Sequence, residues 1–570
     1  MKSKSSYWVK TLQNGLIGGG ISLLLGLVGM ALAFGKTYII SGVITMGQIF
    51  ILSPFLFEAF MSVRKAPSKK PSMLLLAGGL TGLVGGALLA AFVLIGEVIN
   101  YRAVLVNASP NLFALLTFNL SLVTGILVLL TASLVTGLIA AGVFLLPERI
   151  KAALSQAVMV VVLLGLFRDL IVTVMLRWGV VQYVFLWMFA ASGLKIIGAL
   201  VIFVLIGGLA YWSKGRDRKA IALKRSPRQQ QVTRWSTLGV LGLLVLLLPV
   251  ILGSYFSEIL DNVGIYILMG LGLNIVVGFA GLLDLGYVAF YAIGAYTLGI
   301  LTTTEAVGLL HLSFWLASPI ALVIAVFAGV ILGLPILKMR GDYLAIVTLG
   351  FGEIIRIVVL SDWLKPLLGG SEGIQLIGKP VVGPLVLANQ QQLYYLILIG
   401  IILAGFISIR LKDSHLGRSW MALREDEDVA EAMGINKVTT KLLAFAMGAL
   451  FSGLGGALFA TKIGSVYPQS FSFIVSINIL SLIIIGGMGS IPGVFVGGLA
   501  LVGLPLLLSQ FADFRYMIYG AVLVIMMLMK PEGLAPEARR RLELHGEEAG
   551  PGPQNEPQAV KNNPEAPGGD

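Results

Sequence analysis

The chain has 570 residues, of which 57% are hydrophobic and only 12% charged, with a formal net charge of +12 and no cysteine. Soluble globular domains are about 45–50% apolar and about 25% charged, so the composition excludes a water-soluble fold and predicts a protein that resides in a lipid bilayer. The absence of cysteine excludes disulfides and thiolate metal sites, and the positive charge fits basic cytoplasmic loops better than a nucleic-acid partner, which we do not expect.

Six apolar runs in the first part of the chain approach or exceed the ~20 residues that a helix needs to cross a bilayer. They lie near 14–35, 38–61, 73–98, 113–146, 152–176 and 184–212. The lysines at Lys2, Lys4 and Lys10 give the N-terminus the look of a signal peptide, but the length of the first run favours an uncleaved helix. Residues 1–212 are therefore expected to form an additional six-helix membrane domain, whose role the sequence does not indicate.

A polar stretch from Ser213 to Ser236 follows, with eight basic residues and one acidic residue. We expect this segment, 213–236, to be a basic cytoplasmic linker on the anionic membrane lipids, where each basic side chain contributes ~1 kcal/mol. Ten more apolar runs follow the linker, near 237–256, 259–281, 284–303, 315–337, 343–360, 393–411, 440–462, 472–489, 491–509 and 514–530. The tail, 531–570, is rich in Pro, Glu and Gly and is predicted to be disordered.

The charge distribution predicts the topology. If Met1 is cytoplasmic and each run crosses once, most of the 40 lysines and arginines fall on cytoplasmic segments, as the positive-inside rule requires. The loop 361–392 then lies outside. The prediction is an all-α polytopic membrane protein of about 16 transmembrane helices, with both termini cytoplasmic, in a bacterial or archaeal inner membrane.

The longest polar stretch between two apolar runs of the second half extends from Arg410 to Lys441. Ser419 is predicted to cap a first short helix, and a second helix, 430–433, is predicted to stop at Gly434. Four apolar side chains are expected to share a face that docks on a partner: Trp420, Leu423, Val429 and Met433. The alternative is a solvated loop, which would leave Trp420 in water.

Several motifs resemble one family in the same order. They are Gly281–Tyr296, Arg340–Glu353, Gly417–Asn436, Gly486-Gly-Met-Gly-Ser-Ile-Pro-Gly493 and Lys530-Pro-Glu-Gly-Leu534. Together they are similar to the branched-chain amino acid ABC transporter permease family, M-type subunit, over about residues 240–535. The resemblance implies an ABC importer permease domain at 237–530.

The resemblance also implies that residues 417–436 couple an ATP-binding subunit to the membrane helices. The implied coupling residues are Gly417, Arg418, Arg424, Glu425, Asp426, Glu431, Ala432 and Gly434. A phosphate loop at Gly35-Lys36-Thr37 is rejected because the earlier glycine position is Met30. We therefore expect no enzyme activity and no cofactor in this chain, with ATP used by partner subunits.

Charged residues inside apolar runs are costly and usually face protein or water. Glu353 and Arg356 lie three residues apart on one helix face and could form either a gate or a structural ion pair. Asp284, beside Gly281 and Gly286, could line a path or cap a helix. Gly489 and Gly493, which flank Pro492, fit either a broken, re-entrant helix or close helix packing. The candidate path or gate residues are Asp284, Tyr287, Glu353, Arg356, Gly489 and Gly493.

The function that the resemblance implies is ATPase-driven alternating-access import of leucine, isoleucine and valine. The implied partners are an H-type second permease, two ATP-binding cassette subunits, a soluble extracytoplasmic substrate-binding protein and membrane lipids. Urea, amides and other amino acids remain alternative substrates. An ATP-independent secondary transporter and a membrane-embedded enzyme are further alternatives, and the second is disfavoured by the dispersion of the three histidines, His311, His415 and His545.

Overall fold

The computed structural model describes residues 2–175, 187–214, 227–305, 308–336, 339, 341–507, 514–530 and 532–536. These residues are almost entirely helical, with two short antiparallel hairpins, so the predicted all-α class is confirmed. The chain divides into two compact units, Met1–Leu244 and Val245–Asp570. The middle of the predicted linker, 215–226, and the tail from 537 onward lie outside the described residues.

The first unit consists of helices joined by short turns and one hairpin. Its elements are α1 (Lys2–Leu27), α2 (Met30–Ala33), β1 (Tyr38–Ile40), β2 (Ile44–Thr45), α3 (Met46–Arg64), α4 (Pro71–Val98), α5 (Pro110–Leu116), α6 (Leu122–Leu145), α7 (Glu148–Leu166), α8 (Arg168–Met175) and α9 (Ile196–Lys214). Helix α10 (Pro227–Leu252) follows and contains the boundary between the units.

Small residues allow the helices of the first unit to pack closely. A Cβ atom at Gly82 of α4 would collide with the carbonyl oxygen of Ser133 in α6, and one at Gly78 would collide with the backbone of Gly137. The two backbones are therefore in direct contact, as the glycine spacing in α4 predicts. Larger side chains, including Phe55 of α3, fill the core beside this contact.

The second unit contains the remaining helices and one hairpin. Its elements are α11 (Ser254–Leu273), which continues as a π-helical turn (Asn274–Phe279), then α12 (Val288–Thr302), α13 (Phe314–Ile336), α14 (Asp342–Leu360), α15 (Lys365–Leu368), β3 (Val381–Val382), β4 (Leu385–Val386), α16 (Gln390–Asp413), α17 (His415–Glu425), α18 (Glu427–Ala432), α19 (Lys437–Ile463), α20 (Phe473–Gly486), α21 (Ile491–Gly498), α22 (Leu504–Leu507) and α23 (Arg515–Met529). Between α21 and α22 the chain forms a second π-helical turn (Leu499–Gly503).

Helix α19 lies at the centre of the second unit. Its glycines allow the neighbouring backbones to approach: Gly453 meets Gly294 of α12, and Gly456 meets the carbonyl oxygen of Tyr291. The ring of Tyr291 in turn packs against Phe459 of α19, with 5.3 Å between ring centroids. These contacts bury α12 and much of α19 inside the unit, so they provide a fixed frame for the loops at both ends.

Among the described residues, fewer helices are long and apolar enough to span a membrane than the sixteen apolar runs predict. By length and apolar composition, ten helices of the described residues could span a membrane: Met46–Arg64, Pro71–Val98, Leu122–Leu145, Glu148–Leu166, Trp235–Leu252, Ser254–Phe279, Phe314–Pro335, Asp342–Leu360, Gln390–Asp413 and Lys437–Ile463. Every one of the sixteen runs contains a helix. Some of these helices, such as α12, are short because turns and broken segments use part of the apolar run.

Two of the predicted crossings form a single bent pair. Helix α20 and the segment Ile491–Leu507 meet at 119° across a break of a few residues, so the pair is one broken span or a re-entrant loop and would bring the count to eleven. The break contains Gly487 and Gly489, both with positive φ. The prediction that Pro492 and its flanking glycines permit a helix break is therefore confirmed.

Candidate functional site

The polar stretch after α16 folds into two short helices that we call the coupling segment (residues 414–436). The side chain of Ser414 accepts a hydrogen bond from the Gly417 N–H and caps α17. The prediction that Ser419 caps the helix is wrong, because Ser419 lies inside α17 and its hydroxyl donates to the carbonyl of His415. The helix begins earlier because Ser414 is extended and separates α17 from α16.

Helix α17 is fixed to the body of the second unit. Trp420 is fully buried, and its Nε1–H donates to the Thr440 carbonyl in α19 at 2.9 Å. Leu423 is buried beside it. The expectation that Trp420 and Leu423 form part of a partner-docking face is therefore wrong, because their own chain covers both side chains.

Helix α18 carries the exposed half of the predicted apolar set. Asp426 caps it by accepting hydrogen bonds from the N–H groups of Asp428 and Val429. Val429 is 59% exposed and Met433 79% exposed. Gly434, with φ +89°, ends the helix as predicted. The apolar surface available to a partner therefore lies on α18.

A buried ion pair holds α18 to α19. The Nζ of Lys441 lies 2.7 Å from a carboxylate oxygen of Glu427, and the Lys441 side chain is only 1% exposed. A second pair, between Glu431 and Lys437, lies on the surface. Removal of one partner of a buried pair leaves an uncompensated charge, which typically costs about 3–5 kcal/mol. The position of α18 relative to α19 is therefore strongly constrained.

The other predicted coupling residues occupy the ends and the packed side of the two helices. Gly417 lies against the backbone of the last turn of α16, where a Cβ would collide with the Leu411 carbonyl. Arg418 donates to the Asp413 carbonyl at 3.0 Å. Glu425 and Ala432 are exposed at the last turns of α17 and α18.

Arg424 connects the coupling segment to α11. Its Nη1 donates to the Gly278 carbonyl at 2.6 Å, inside the π-helical turn Asn274–Phe279. A π-helical turn is wider than an α-helical turn and is often found at functional sites. The side chain of Arg424 also packs on Gly281, whose φ is +72°. Two of the sequence motifs, the one that begins at Gly281 and the one that contains Arg424, thus meet in space.

The same π-helical turn contacts the break in the bent pair. The side-chain oxygen of Asn274 accepts the Gly489 N–H at 2.8 Å. Gly278 lies between these two groups, since a Cβ at that position would collide with Asn274 and with the Gly489 nitrogen. A short path therefore joins α17 to the bent pair: Arg424, the π-helical turn, Asn274 and Gly489.

The segment after α23 closes over this break. The N–H groups of Leu534 and Ala535 donate to the carbonyls of Ile485 and Gly486 at 2.8 and 3.0 Å. The Ser490 hydroxyl donates to the Ala535 carbonyl at 2.6 Å. Gly493 lets α21 lie directly against the Gly486 backbone. The last two sequence motifs are thus also brought to the site.

Asp284 and Tyr287 are fully buried in the loop before α12. Asp284 accepts the Gly286 N–H at 2.9 Å, which matches the capping alternative, and burial raises the pKa of its carboxyl to about 7. The Tyr287 hydroxyl donates to the Gly448 carbonyl in α19 at 2.8 Å. Both side chains thus lie in the packed interior of the second unit, and only Tyr287 is bonded directly to α19 in these contacts.

Glu353 and Arg356 lie apart from the other candidates, on α14. The Arg356 Nε donates to a Glu353 carboxylate oxygen at 2.8 Å, so the predicted pairing is confirmed. Both side chains remain more than a third exposed.

Three residues of the site, Asn274, Glu427 and Lys441, were not predicted from the sequence. An asparagine inside the apolar run 259–281 was the available signal for the first.

Comparison with known proteins places the second unit in a family. Residues 255–527 match the family model described as "Branched-chain amino acid transport system / permease component". The chain is 40% identical over 308 residues to the permease protein LivM of a high-affinity branched-chain amino acid transport system from Salmonella typhimurium, covering 50% of this chain and 71% of that protein. The chain belongs to this permease family.

Further relatives of the permease carry both subunit names of such systems. The Escherichia coli LivM protein is 41% identical over 303 residues, which cover 49% of the permease and 70% of the relative. The LivH permease of Salmonella typhimurium is 30% identical over 130 residues, 22% of the permease and 42% of the relative. No solved structure matches the permease significantly. The permease is thus a multi-pass membrane protein with a transport family's fold in its second unit.

Proposed function

We propose that the permease is a membrane subunit of an importer for branched-chain amino acids, driven by ATP-binding subunits that dock on α18. The observation that supports this most strongly is the structure of the coupling segment. Val429 and Met433 are exposed on a short helix, while Trp420 and the Glu427–Lys441 pair fix that helix to the membrane unit. A firmly held helix with an exposed apolar face is suited to transmit a partner's movement.

The contacts behind α18 suggest how that movement reaches the membrane helices. Displacement of α17 would pull on the Gly278 carbonyl through Arg424, and displacement of the π-helical turn would pull on Gly489 through Asn274. The bent pair would then change its angle at the glycines of its break. In this proposal Gly489 and Gly493 act as the gate, and Asp284 and Tyr287 stabilise the frame against which it moves.

The proposed assembly follows the names of the relatives. LivM and LivH are both named as permease proteins of high-affinity branched-chain systems, so the permease would pair with an H-type homologue. Two ATP-binding subunits would dock on the cytoplasmic side, and a soluble binding protein would deliver substrate outside. The chain would lie in the inner membrane with cytoplasmic termini and would bind no cofactor itself.

The proposed substrates are leucine, isoleucine and valine, on the names of the relatives. Urea, amides and other amino acids are the alternatives within the same mechanism. An ATP-independent transporter is a separate alternative, and accumulation of solute by vesicles that contain only the permease would support it.

A charge change on α18 tests the proposal. Val429→Asp together with Met433→Asp places two carboxylates on the apolar face without touching the buried anchors. We expect the ATP-binding subunits to co-purify with the tagged parent chain from native membranes and to be lost from this variant, while the second permease stays bound. Leucine uptake should fall at least roughly tenfold, since buried charge at an interface typically costs several kcal/mol.

A matched control is available on the hairpin β3–β4. Val382 and Leu385 are exposed to a similar degree, and they precede α16 whereas the coupling segment follows it. Helix α16 has 24 residues, so about 36 Å separates its ends. Val382→Asp with Leu385→Asp should leave ATPase binding intact. Retention of the ATPases by the α18 variant, or their absence from the parent, would contradict the proposal.

A further inference from the structure

One end of the first unit carries a dense group of positive charges. The connection between α3 and α4 and the first turn of α7 supply them, and Glu148 is the one acidic residue among them, 3.6 Å from Lys151. All the basic residues except Lys151 are exposed. We call this group the basic surface: Arg64, Lys65, Lys69, Lys70, Arg149 and Lys151.

Aromatic packing brings the two segments of the basic surface together. The Nζ of Lys151 lies 4.8 Å from the ring centroid of Phe144 and 5.4 Å from that of Phe60. The two rings are themselves 5.9 Å apart. Ala66, between α3 and α4, packs with Phe144 on the same buried residues, among them Leu74. The charges of both segments therefore form one continuous surface.

The segment of the second unit that contains the coupling segment is electrically balanced. Arg410–Lys441 has six basic and six acidic residues. The charge distribution predicts that this segment and the basic surface are both cytoplasmic, so the positive-inside rule applies to them equally. It does not account for an excess of six basic residues over one acidic residue in the first unit alone. This excess indicates a negatively charged partner.

Apolar side chains next to the basic surface indicate the kind of partner. Leu75 and Leu76 of α4 are 38% and 59% exposed, and they lie about 8–9 Å further along the helix than Lys70. Leu145 of α6 and Ile150 of α7 are exposed as well. A phospholipid carries its charge at one end and its apolar chains at the other, so it fits both parts. A nucleic acid or a soluble anion would contact the charged part alone.

We propose that the basic surface binds an anionic phospholipid with two phosphates in its headgroup, the chemistry of cardiolipin. The lysines before α4 would contact one phosphate and Arg149 on α7 the other, with acyl chains on Leu75 and Leu76. Each basic residue next to anionic lipid raises the affinity about fivefold. This inference concerns the first unit alone and does not rest on the proposed import function.

Native mass spectrometry of the full chain, purified in detergent, measures lipid binding directly. The probes are cardiolipin, phosphatidylglycerol at equal total phosphate, and inorganic phosphate. We expect cardiolipin to bind at least roughly tenfold more tightly than phosphatidylglycerol, because its second phosphate meets further basic residues. Inorganic phosphate, which has no acyl chains, should not bind at the same concentration.

Neutralisation of three lysines tests the location of the site. Lys65→Gln with Lys69→Gln and Lys70→Gln should weaken cardiolipin binding at least roughly tenfold, because three favourable charges are lost. Lys65→Arg with Lys69→Arg and Lys70→Arg keeps the charge and should bind cardiolipin as the parent chain does. Retention in the arginine variant assigns the loss in the glutamine variant to charge and not to misfolding.

A matched control removes the same charge from the opposite end of the first unit. Lys36, Arg102 and Lys195 are exposed there, since Arg102 follows α4 and the other two lie next to the strand β1 and its partner Leu194. Lys36→Gln with Arg102→Gln and Lys195→Gln should leave the affinity within about twofold, because salt screens charges that are more than about 10 Å apart.

Three outcomes would overturn the inference. Equal weakening in the glutamine variant and the control would show a diffuse effect of net charge. Equal affinity for cardiolipin and phosphatidylglycerol at equal phosphate would exclude a site for two phosphates. Binding of inorganic phosphate as tightly as cardiolipin would identify a site for a soluble anion instead of a lipid.

Discussion

Three side-chain contacts connect the coupling segment to the helices behind it. They are Trp420 to the Thr440 carbonyl, Glu427 to Lys441 and Arg424 to the Gly278 carbonyl. Trp420 and Lys441 are buried, so the first two contacts place a polar or charged group where water has little access and are costly to break. The residues that matter most to coupling are thus expected to be those that hold α17 and α18, in addition to those that a partner touches.

The Glu427–Lys441 pair gives the first prediction. Lys441→Met should destabilise the permease by about 3–5 kcal/mol, because Glu427 loses its buried partner. Adding Glu427→Gln to that variant should recover much of the loss, since no charge then remains unpaired. Thermal melting of the purified complex in detergent measures both effects. If the double variant melts no higher than the single variant, the pair is not the cause of the loss.

Asn274 gives the second prediction. Asn274→Ala removes the acceptor for the Gly489 N–H and breaks the proposed path between α17 and the bent pair. We expect ATP hydrolysis by the reconstituted complex to continue within about twofold while leucine transport falls roughly tenfold or more, because one buried, unsatisfied N–H costs about 1–3 kcal/mol. Parallel loss of hydrolysis and transport would indicate general damage instead of uncoupling.

Asp284 gives a prediction about pH. Burial raises the pKa of its carboxyl to about 7 from the ordinary value near 4, so folding takes up a proton between these values. Stability should therefore fall as pH rises from about 4 to about 7 and change little above that. Asp284→Asn stays neutral and can still accept the Gly286 N–H, so its melting temperature should lose this slope. An unchanged slope in the variant would assign the pH dependence to another group.

At the scale of elements, the sequence predicts helix positions better than helix ends and faces. Each of the sixteen apolar runs contains a helix, because apolar length alone determines that outcome. The start of α17 was misplaced because two serines, Ser414 and Ser419, are equally plausible caps in the sequence. The predicted docking face is larger than the exposed one, because sequence periodicity cannot show that Trp420 packs against α19.

Sequence patterns predict the break in the bent pair but not its angle. The glycines around Pro492 indicate a break, whereas the apolar length predicts two separate crossings, one for α20 and one for α21. The angle of 119° depends on contacts that are distant in sequence, namely Asn274 with Gly489 and Ala535 with Gly486. Sequence periodicity carries no information about such contacts, so the coupling residues could be identified by resemblance while the connection between them could not.

Close packing within the bent pair gives the fourth prediction. Gly493→Ala places a Cβ against the Gly486 carbonyl and should lower stability and transport. Overpacking of this kind typically costs about 1–3 kcal/mol. Gly405→Ala is the matched control, because Gly405 is also inside a helix and has nothing within 4 Å of an added Cβ. Equal melting temperatures for the two variants would contradict the close contact between α20 and α21.

At the scale of the whole molecule, the family match and the motifs fall in the second unit, Val245–Asp570, and the family match does not extend into the first unit, Met1–Leu244. The composition predicted the polytopic class, and the resemblance predicted where the family domain lies. The role of residues 1–212 stays without a prediction, because a packed set of apolar helices with glycine contacts can serve many functions.

We infer that the permease moves substrate only when ATP-binding subunits act on α18. The most direct measurement is leucine accumulation in proteoliposomes that contain the complete complex, with and without ATP, compared with proteoliposomes that contain the permease alone. We expect accumulation only in the complete complex with ATP, and its loss in the Val429→Asp, Met433→Asp variant. Accumulation by the permease alone, or ATP-driven uptake that persists in this variant, would contradict it.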